Sequence, residues 1–259
     1  MTPINRDRNK PNTEDLPLAG THIDQMSPVD ALGVMLNHQS GAIDAVRDAL
    51  SQIETAALAA HQRLAATQTG RLIYAGAGTS ARIGVQDGVE LTPTFNWPQS
   101  RLGFLVAGGH QALMGAIENA EDDDDAGKAA TTALAVGGDD VVIALAASGQ
   151  TPFTRGVLQA ASAQGALTIG ISNNADAPLL HDAAYPVLLC TGGEIIAGST
   201  RLTAGTAQKI CLNLISNMIM VRMGFVLHGM MVNMVPTNAK LRHRRDQIDR
   251  LLKRAVPDS

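Results

Sequence analysis

An apolar run that breaks into a glycine-rich turn and then into an amphipathic helix occurs twice in this chain, and no other feature limits the fold as much. The first copy lies within GRLIYAGAGTSARIGVQDGVELTPTFNWP, residues 70–98. Residues 72–74 read as a buried parallel strand, Gly76-Ala77-Gly78-Thr79-Ser80 as the turn, and residues 82–89 as the helix that follows. The second copy is DVVIALAASGQT, residues 140–151, where the run 141–146 meets Ser148-Gly149-Gln150-Thr151-Pro152 and a helical pattern over 153–163. Pro152 suits the first turn of that helix, with Thr151 as its N-cap. Such a turn offers free backbone N–H groups and hydroxyls at the positive end of a helix dipole, which is how a fold builds an anion site. In open parallel sheets ligands bind at the edge where these turns lie, so two of them point to one shared ligand. Neither turn is a Walker loop, since no Gly-Lys-Ser/Thr follows. Glu90 comes after roughly three helical turns, and a phosphate grip with an acid suggests chemistry on a phosphorylated small molecule.

The rest of the chain supports a helix-covered parallel sheet. Strand candidates are 71–75, 102–106, 140–146, 167–171 and 185–190, and helices fit 80–90, 110–119, 127–135, 152–164 and 202–226. Alternation of this kind gives a three-layer α/β sandwich with a central parallel sheet flanked by helices. Ahead of it, residues 28–68 are helical by pattern, with Ser27-Pro28 as N-cap and N1. Three regions follow: an extended segment over 1–27, one sheet domain with its N-terminal helices over 28–238, and a charged helix and tail over 239–259.

Composition excludes several classes. A formal charge of −4 over 259 residues gives no electrostatic argument for nucleic acid or an acidic membrane surface. No run approaches the ~20 apolar residues of a membrane span. The polar start MTPINRDRNKPNTEDLP lacks a signal-peptide core, so a cytoplasmic protein is expected. Cys190 and Cys211 each sit in an apolar run and are expected buried and reduced. Neither cysteine has metal-ligand spacing. The acidic run 121–125 reads mainly as a solvated helix entry, and Glu121 stands apart at its inner edge. In GGEIIAGSTRL, residues 192–202, Ser199 and Thr200 precede a long helix, so capping explains one of them. Glu194 and Arg201 pair with each other or face a ligand, and spacing leaves both open.

GAGTS with its downstream acid, AASGQTP, GISNN and GSTRLTAGTAQK together resemble the sugar isomerase (SIS) fold. More narrowly, residues 12–245 resemble the N-acetylmuramic acid 6-phosphate etherases. That likeness runs through Thr13-Glu14, Ile23-Asp24, RLIYAGAGTS, the glutamate of GVQDGVELTPTF, AGG at 107–109, ENAED at 118–122, AASGQTP, GSTR, AGTAQK and TNAKL at 237–241. The resemblance implies cleavage of the C3 lactyl ether to N-acetylglucosamine 6-phosphate and D-lactate, by elimination and then hydration. It makes Glu121 the expected base at C2 and Glu90 the acid at the departing oxygen. Ser80, Ser148 and Thr151 hold the sugar phosphate with help from Gly78 and Thr79, and Glu194, Ser199 and Arg201 are further candidate substrate contacts. It implies no metal, no organic cofactor, and a homodimer with sites near the subunit interface.

Departures from the family pattern are Gln150 for Arg, Thr203 for Lys, Leu91-Thr92-Pro93 for Cys-Pro-Pro, His110 for Glu and Asn233 for Asp; the chain also ends soon after the charged helix, where members carry a small helical domain. Arg82, Arg155 and Arg201 are the cations expected to compensate for the two lost. Two other functions fit the fold. A non-catalytic sugar-phosphate sensor has no need of both glutamates, and an aldose–ketose isomerase has no need of an acid at an ether oxygen.

Overall fold

A computed structural model describes residues 12–16, 22–115 and 117–233. Strands β1 (Leu72–Gly76), β2 (Leu102–Val106), β3 (Val141–Leu145), β4 (Leu167–Ser172) and β5 (Tyr185–Leu188) form one sheet in the order β2-β1-β3-β4-β5. Every neighbouring pair is parallel, with Leu72 opposite both Leu102 and Val141 and Gly76 opposite both Val106 and Leu145. The central strands β1, β3 and β4 are therefore buried on both faces, as a covered parallel sheet requires, while the edge strands β2 and β5 are partly exposed.

Helices α1 (Pro28–Gln39), α2 (Gly41–Asp48) and α3 (Leu50–Ala65) precede the sheet. After β1 comes α4 (Gly78–Phe95), then α5 (Asp124–Ala133), α6 (Pro152–Ala163), the short α7 (Pro178–Asp182) and the long α8 (Thr203–Arg222). Alternate strand residues separate two cores. Leu72, Tyr74, Ile143 and Ile169 pack with α3, α8 and the Leu91–Phe95 end of α4. Ile73, Ala75, Val142 and Ala144 pack with Val157 and Leu158 of α6 and Leu179 of α7. So the helices that follow β1 and β3 leave the sheet on opposite faces, and a crevice opens between those two strands at their C-terminal ends.

Small residues set how closely the layers approach. A Cβ on Gly127 of α5 would overlap the Phe153 carbonyl, and one on Gly156 of α6 would overlap the Asp124 carbonyl. Gly88 lets α4 lie on the Tyr74 and Phe104 rings, whose centroids stack 6.0 Å apart.

A buried carboxylate ties α4 to the core. Asp87 accepts from the Tyr74 hydroxyl at 2.8 Å, from Asn213 Nδ2 at 2.7 Å and from Ser216 Oγ at 3.2 Å. Two of the polar residues that interrupt the apolar pattern of α8, Asn213 and Ser216, are thus Asp87's donors. Burial, and then the Asp87 charge, push the Tyr74 hydroxyl well above the ordinary tyrosine range. The same two causes raise the buried Cys211 thiol.

Several expectations change. Residues 110–119 do not form a regular helix: Gly108 and Gly109 take φ of +75° and +71°, and only a 3-10 turn, His110–Leu113, follows. Within the segment expected to be extended, Asn12–Glu14 and Ile23–Gln25 are 3-10 turns. Cys190 is exposed, because it lies just beyond the edge strand β5, while Cys211 is buried in α8. The helix expected over 239–254 lies outside the described residues. Among those residues no helix is long and apolar enough to cross a membrane.

Candidate active site

The crevice between β1 and β3 is a topological switch point, the place where open α/β sheets bind ligands. Its walls are the two turns that the sequence singles out. In the first, Gly78 opens α4 at φ +53°. The N–H groups of Gly78, Thr79 and Ser80 occupy the first turn of the helix, where no intrahelical acceptor exists. Gly76 has no room for a side chain, since a Cβ there would crowd the Leu145 carbonyl oxygen at 3.0 Å. In the second turn, Gly149 sits at φ +66°, and a Cβ there would overlap the Ala177 side chain and the Ser172 hydroxyl.

The hydroxyls in these turns differ in what they can offer. Ser148 Oγ accepts from the Gln150 N–H at 3.2 Å, which leaves its own proton free for another acceptor. Thr151 stands at the N-cap of α6, as its position before Pro152 predicts, but its side chain makes no capping hydrogen bond. Ser80 is nearly buried, and its hydroxyl donates to Gln208 Oε1 at 2.8 Å. Gln208 Nε2 donates in turn to Asn173 Oδ1 at 3.0 Å, and Asn173 Nδ2 donates to the Leu189 carbonyl at 3.1 Å. A backbone carbonyl can only accept, so this last contact fixes both amides and keeps the Ser80 proton on Gln208.

The two glutamates occupy different places. Glu121 lies in the exposed 3-10 turn Ala120–Asp122, which packs against α6 at the crevice edge of the sheet. Glu90 is also exposed, and it lies on α4 twelve residues beyond Gly78. Twelve residues at 1.5 Å each put it about 18 Å along the helix axis from the turn. A single chain therefore does not bring Glu90 to the crevice. Neither carboxylate has a hydrogen bond or ion pair among the described residues.

Residues 194–203 resolve differently from either reading of their spacing. Glu194 is buried and accepts from the N–H groups of Thr203 at 3.0 Å and Ala204 at 2.8 Å, so it caps α8. It does not pair with Arg201, and neither Ser199 nor Thr200 caps the helix, whose N-cap position is Leu202. The Thr203 hydroxyl meets His38 Nδ1 at 2.8 Å. Ser199 is half-buried and Arg201 is exposed.

Two of the three expected cations are occupied. Arg155 pairs with Asp182 at 2.9 Å, and Arg82 donates to the carbonyls of Ala112, Leu113 and Gly115 at 2.9–3.1 Å. Only Arg201 of the three has no partner among the described residues. Of the acidic run, Asp123 caps α5 through the Ala126 N–H at 2.8 Å, and Asp124 pairs with Lys128. Among the described residues no cluster of His, Cys, Asp and Glu is arranged to hold a metal.

Sequence reasoning missed Gln208, Asn173, Asn174 and Asp87, whose contacts span distant parts of the chain. The GISNN and AGTAQK motifs contain three of them, and that is the signal that could have found them.

The unequal roles of the two serines predict unequal costs. Ser80→Ala leaves a buried Gln208 acceptor unpaired and should destabilise the fold by about 1–3 kcal/mol. Ser148→Ala removes one half-exposed acceptor and should cost no more than about 1 kcal/mol. Urea unfolding compares them, and equal losses would contradict the fixed direction of the Ser80–Gln208–Asn173 chain.

Known proteins bear on this geometry. Residues 54–162 match the N-terminal SIS domain family of the glucokinase regulatory protein. Among solved structures, a phosphoheptose isomerase from Francisella tularensis superposes with a TM-score of 0.52 at 14% identity, covering 76% of this chain and 98% of that one. A protein of E. coli CFT073, solved with a ligand bound, superposes with a TM-score of 0.54 at 18% identity, covering 79% of this chain and 97% of that one. These likenesses show the fold. Closer in sequence is the N-acetylmuramic acid 6-phosphate etherase of Deinococcus radiodurans, 48% identical over 86% of this chain and 72% of that protein. Those of Shouchella clausii and Levilactobacillus brevis are 45% and 41% identical, covering 93% and 91% of this chain and 80% and 78% of theirs. With these identities over most of both partners, the chain belongs to the N-acetylmuramic acid 6-phosphate etherase family.

Proposed function

We propose that this protein is a carbon–oxygen lyase that cleaves N-acetylmuramic acid 6-phosphate to N-acetylglucosamine 6-phosphate and D-lactate, a step of cell-wall sugar recycling in the cytoplasm. The observation that carries the reading is the convergence of two helix-starting turns at one switch point, in a chain whose relatives bear that name. Phosphate is received by the N–H groups of Gly78 and Thr79 and by the Ser148 and Thr151 hydroxyls. These donors are neutral, and the helix dipoles of α4 and α6 add to them.

The chemistry then follows from the open-chain sugar. The aldehyde at C1 makes the C2 proton acidic, and the Glu121 carboxylate removes it. Electrons move into a C2–C3 double bond as the C3–O bond breaks, and Glu90, starting protonated, gives its proton to the departing lactate oxygen. Glu90, now ionised, takes a proton from water as that water adds to C3, and Glu121 returns its proton to C2. The atoms balance with water as the only co-reactant, so the route asks for no metal or organic cofactor. It does require one carboxyl group ionised and one protonated at the start.

Glu90 reaches such a site from a second copy of the chain. It stands beside Val89 on α4, and α8, which packs on α4, exposes Leu214, Met218 and Val221 at helical spacing. A homodimer formed over this surface would bury that stripe. It would also carry each Glu90 toward the partner's crevice.

Two outcomes test the assignment. Glu121→Gln should abolish both lactate release and exchange of the C2 hydrogen with deuterated water. Glu90→Gln should block release but keep some exchange, because the proton leaves C2 before the ether oxygen needs one. General acid–base groups contribute about 10²–10⁴-fold, so both losses are measurable; exchange kept in the Glu121 variant alone would reverse the roles. Refolding the two inactive variants together should recover lactate release, since one site of each hybrid then holds both native glutamates. A mixture that stays inactive while forming hybrids would place both glutamates in one chain.

A further inference from the structure

The N-terminal segment crosses the crevice edge of the sheet and is clasped there by one side chain. Thr13 is fully buried, and its backbone N–H donates to Asn174 Oδ1 at 3.0 Å. Asn174 Nδ2 donates back to Thr13 Oγ1 at 3.0 Å. The same Nδ2 donates its other proton to the Ala147 carbonyl at 3.2 Å. Two further donors reach that carbonyl, the Asn173 N–H at 3.0 Å and Ser172 Oγ at 3.2 Å. Ala147 immediately precedes Ser148, so three donors fix the point from which the second phosphate turn departs.

Asn174 cannot be turned over in this setting. The Thr13 N–H only donates and the Ala147 carbonyl only accepts, so each prescribes the same amide orientation. The segment also packs along the loop before α8: a Cβ on Gly193 would press on the Asp15 carbonyl at 2.8 Å, and one on Gly198 would meet the Glu14 carboxylate at 3.3 Å.

The geometry points to Thr13 as a positioning residue for phosphate binding, acting through Asn174 on the Ala147 carbonyl and thereby on the Ser148–Thr151 turn. The inference rests on the sugar-phosphate reading of the crevice. Without Oγ1 one buried Asn174 proton loses its acceptor. The Thr13 N–H and the Ala147 carbonyl still prescribe the amide's orientation, but the amide shifts to find that proton another partner, which weakens its hydrogen bond to the Ala147 carbonyl. Ligand affinity falls, while the reacting carbons, remote from the phosphate, keep their catalytic groups.

The test compares full-length wild type, Thr13→Val and Thr13→Ser by lactate release from N-acetylmuramic acid 6-phosphate and by calorimetric binding of inorganic phosphate and N-acetylglucosamine 6-phosphate. Thr13→Val should raise KM and both dissociation constants about 3- to 10-fold, the worth of one hydrogen bond, with kcat nearly unchanged. Thr13→Ser keeps the oxygen and should restore wild-type values. Should Thr13→Val not fold, Thr13→Cys, whose sulfur is a weak acceptor, serves the same comparison. Unchanged affinities in the Val or Cys variant would overturn the proposal, as would a fall in kcat at constant KM or an equal weakening in Thr13→Ser. The binding arm needs no turnover. A wild type that binds the sugar phosphate without releasing lactate would refute the etherase reading, and the comparison of variants would still decide the role of Thr13.

Discussion

The structure depends on one topological constraint: β1 pairs in parallel with both β2 and β3, while α4, after β1, and α6, after β3, leave the sheet on opposite faces. Parallel pairing puts every turn that follows a strand on the same edge, and divergence of the two helices opens that edge between β1 and β3. The turns on either side are then built for backbone exposure. Gly78 and Gly149 take positive φ that other residues rarely adopt. Around them the edge is held by polar contacts of fixed direction, from Leu189 through Asn173 and Gln208 to Ser80, and from Thr13 through Asn174 to Ala147. The two chains meet at the adjacent residues 173 and 174, so one short stretch at the end of β4 braces both turns.

Electrostatically the crevice is modest. Arg155 is neutralised by Asp182, and Arg82 secures the turn after Gly109 instead of facing the crevice edge as a bare charge. The carboxylate capping α8 belongs to Glu194, which satisfies that helix's first N–H groups internally. On the proposed reading, a sugar phosphate here would be held chiefly by neutral N–H and O–H donors at the starts of α4 and α6. Such donors discriminate by geometry more than by charge.

Much of this was legible in the sequence. All five strands fall within a residue or two of where apolar runs place them; β1 and β3, buried along their whole length, carry no polar side chain but the Tyr74 hydroxyl to obscure the pattern. Ser27 and Pro28 open α1 as their types predict, with Ser27 Oγ accepting from the Asp30 N–H at 3.3 Å. What was not legible depends on distant partners. A cap supplied by Glu194 from across a loop cannot be told from one supplied by Ser199 or Thr200 nearby. The helical pattern at 110–119 gives way because two consecutive glycines at positive φ and the Arg82 guanidinium set the local path. Spacing likewise placed Glu90 after the first turn without saying which way a helix of eighteen residues carries it.

On the proposed reading the crevice cleaves the sugar's C3–oxygen bond by elimination and hydration. Turnover of N-acetylmuramic acid 6-phosphate in ¹⁸O-labelled water tests it most directly, with both products read by mass spectrometry. Water that adds back to C3 leaves the label in N-acetylglucosamine 6-phosphate and none in D-lactate. Label in the lactate would show cleavage on the other side of the ether oxygen, and no cleavage at all would contradict the assigned activity.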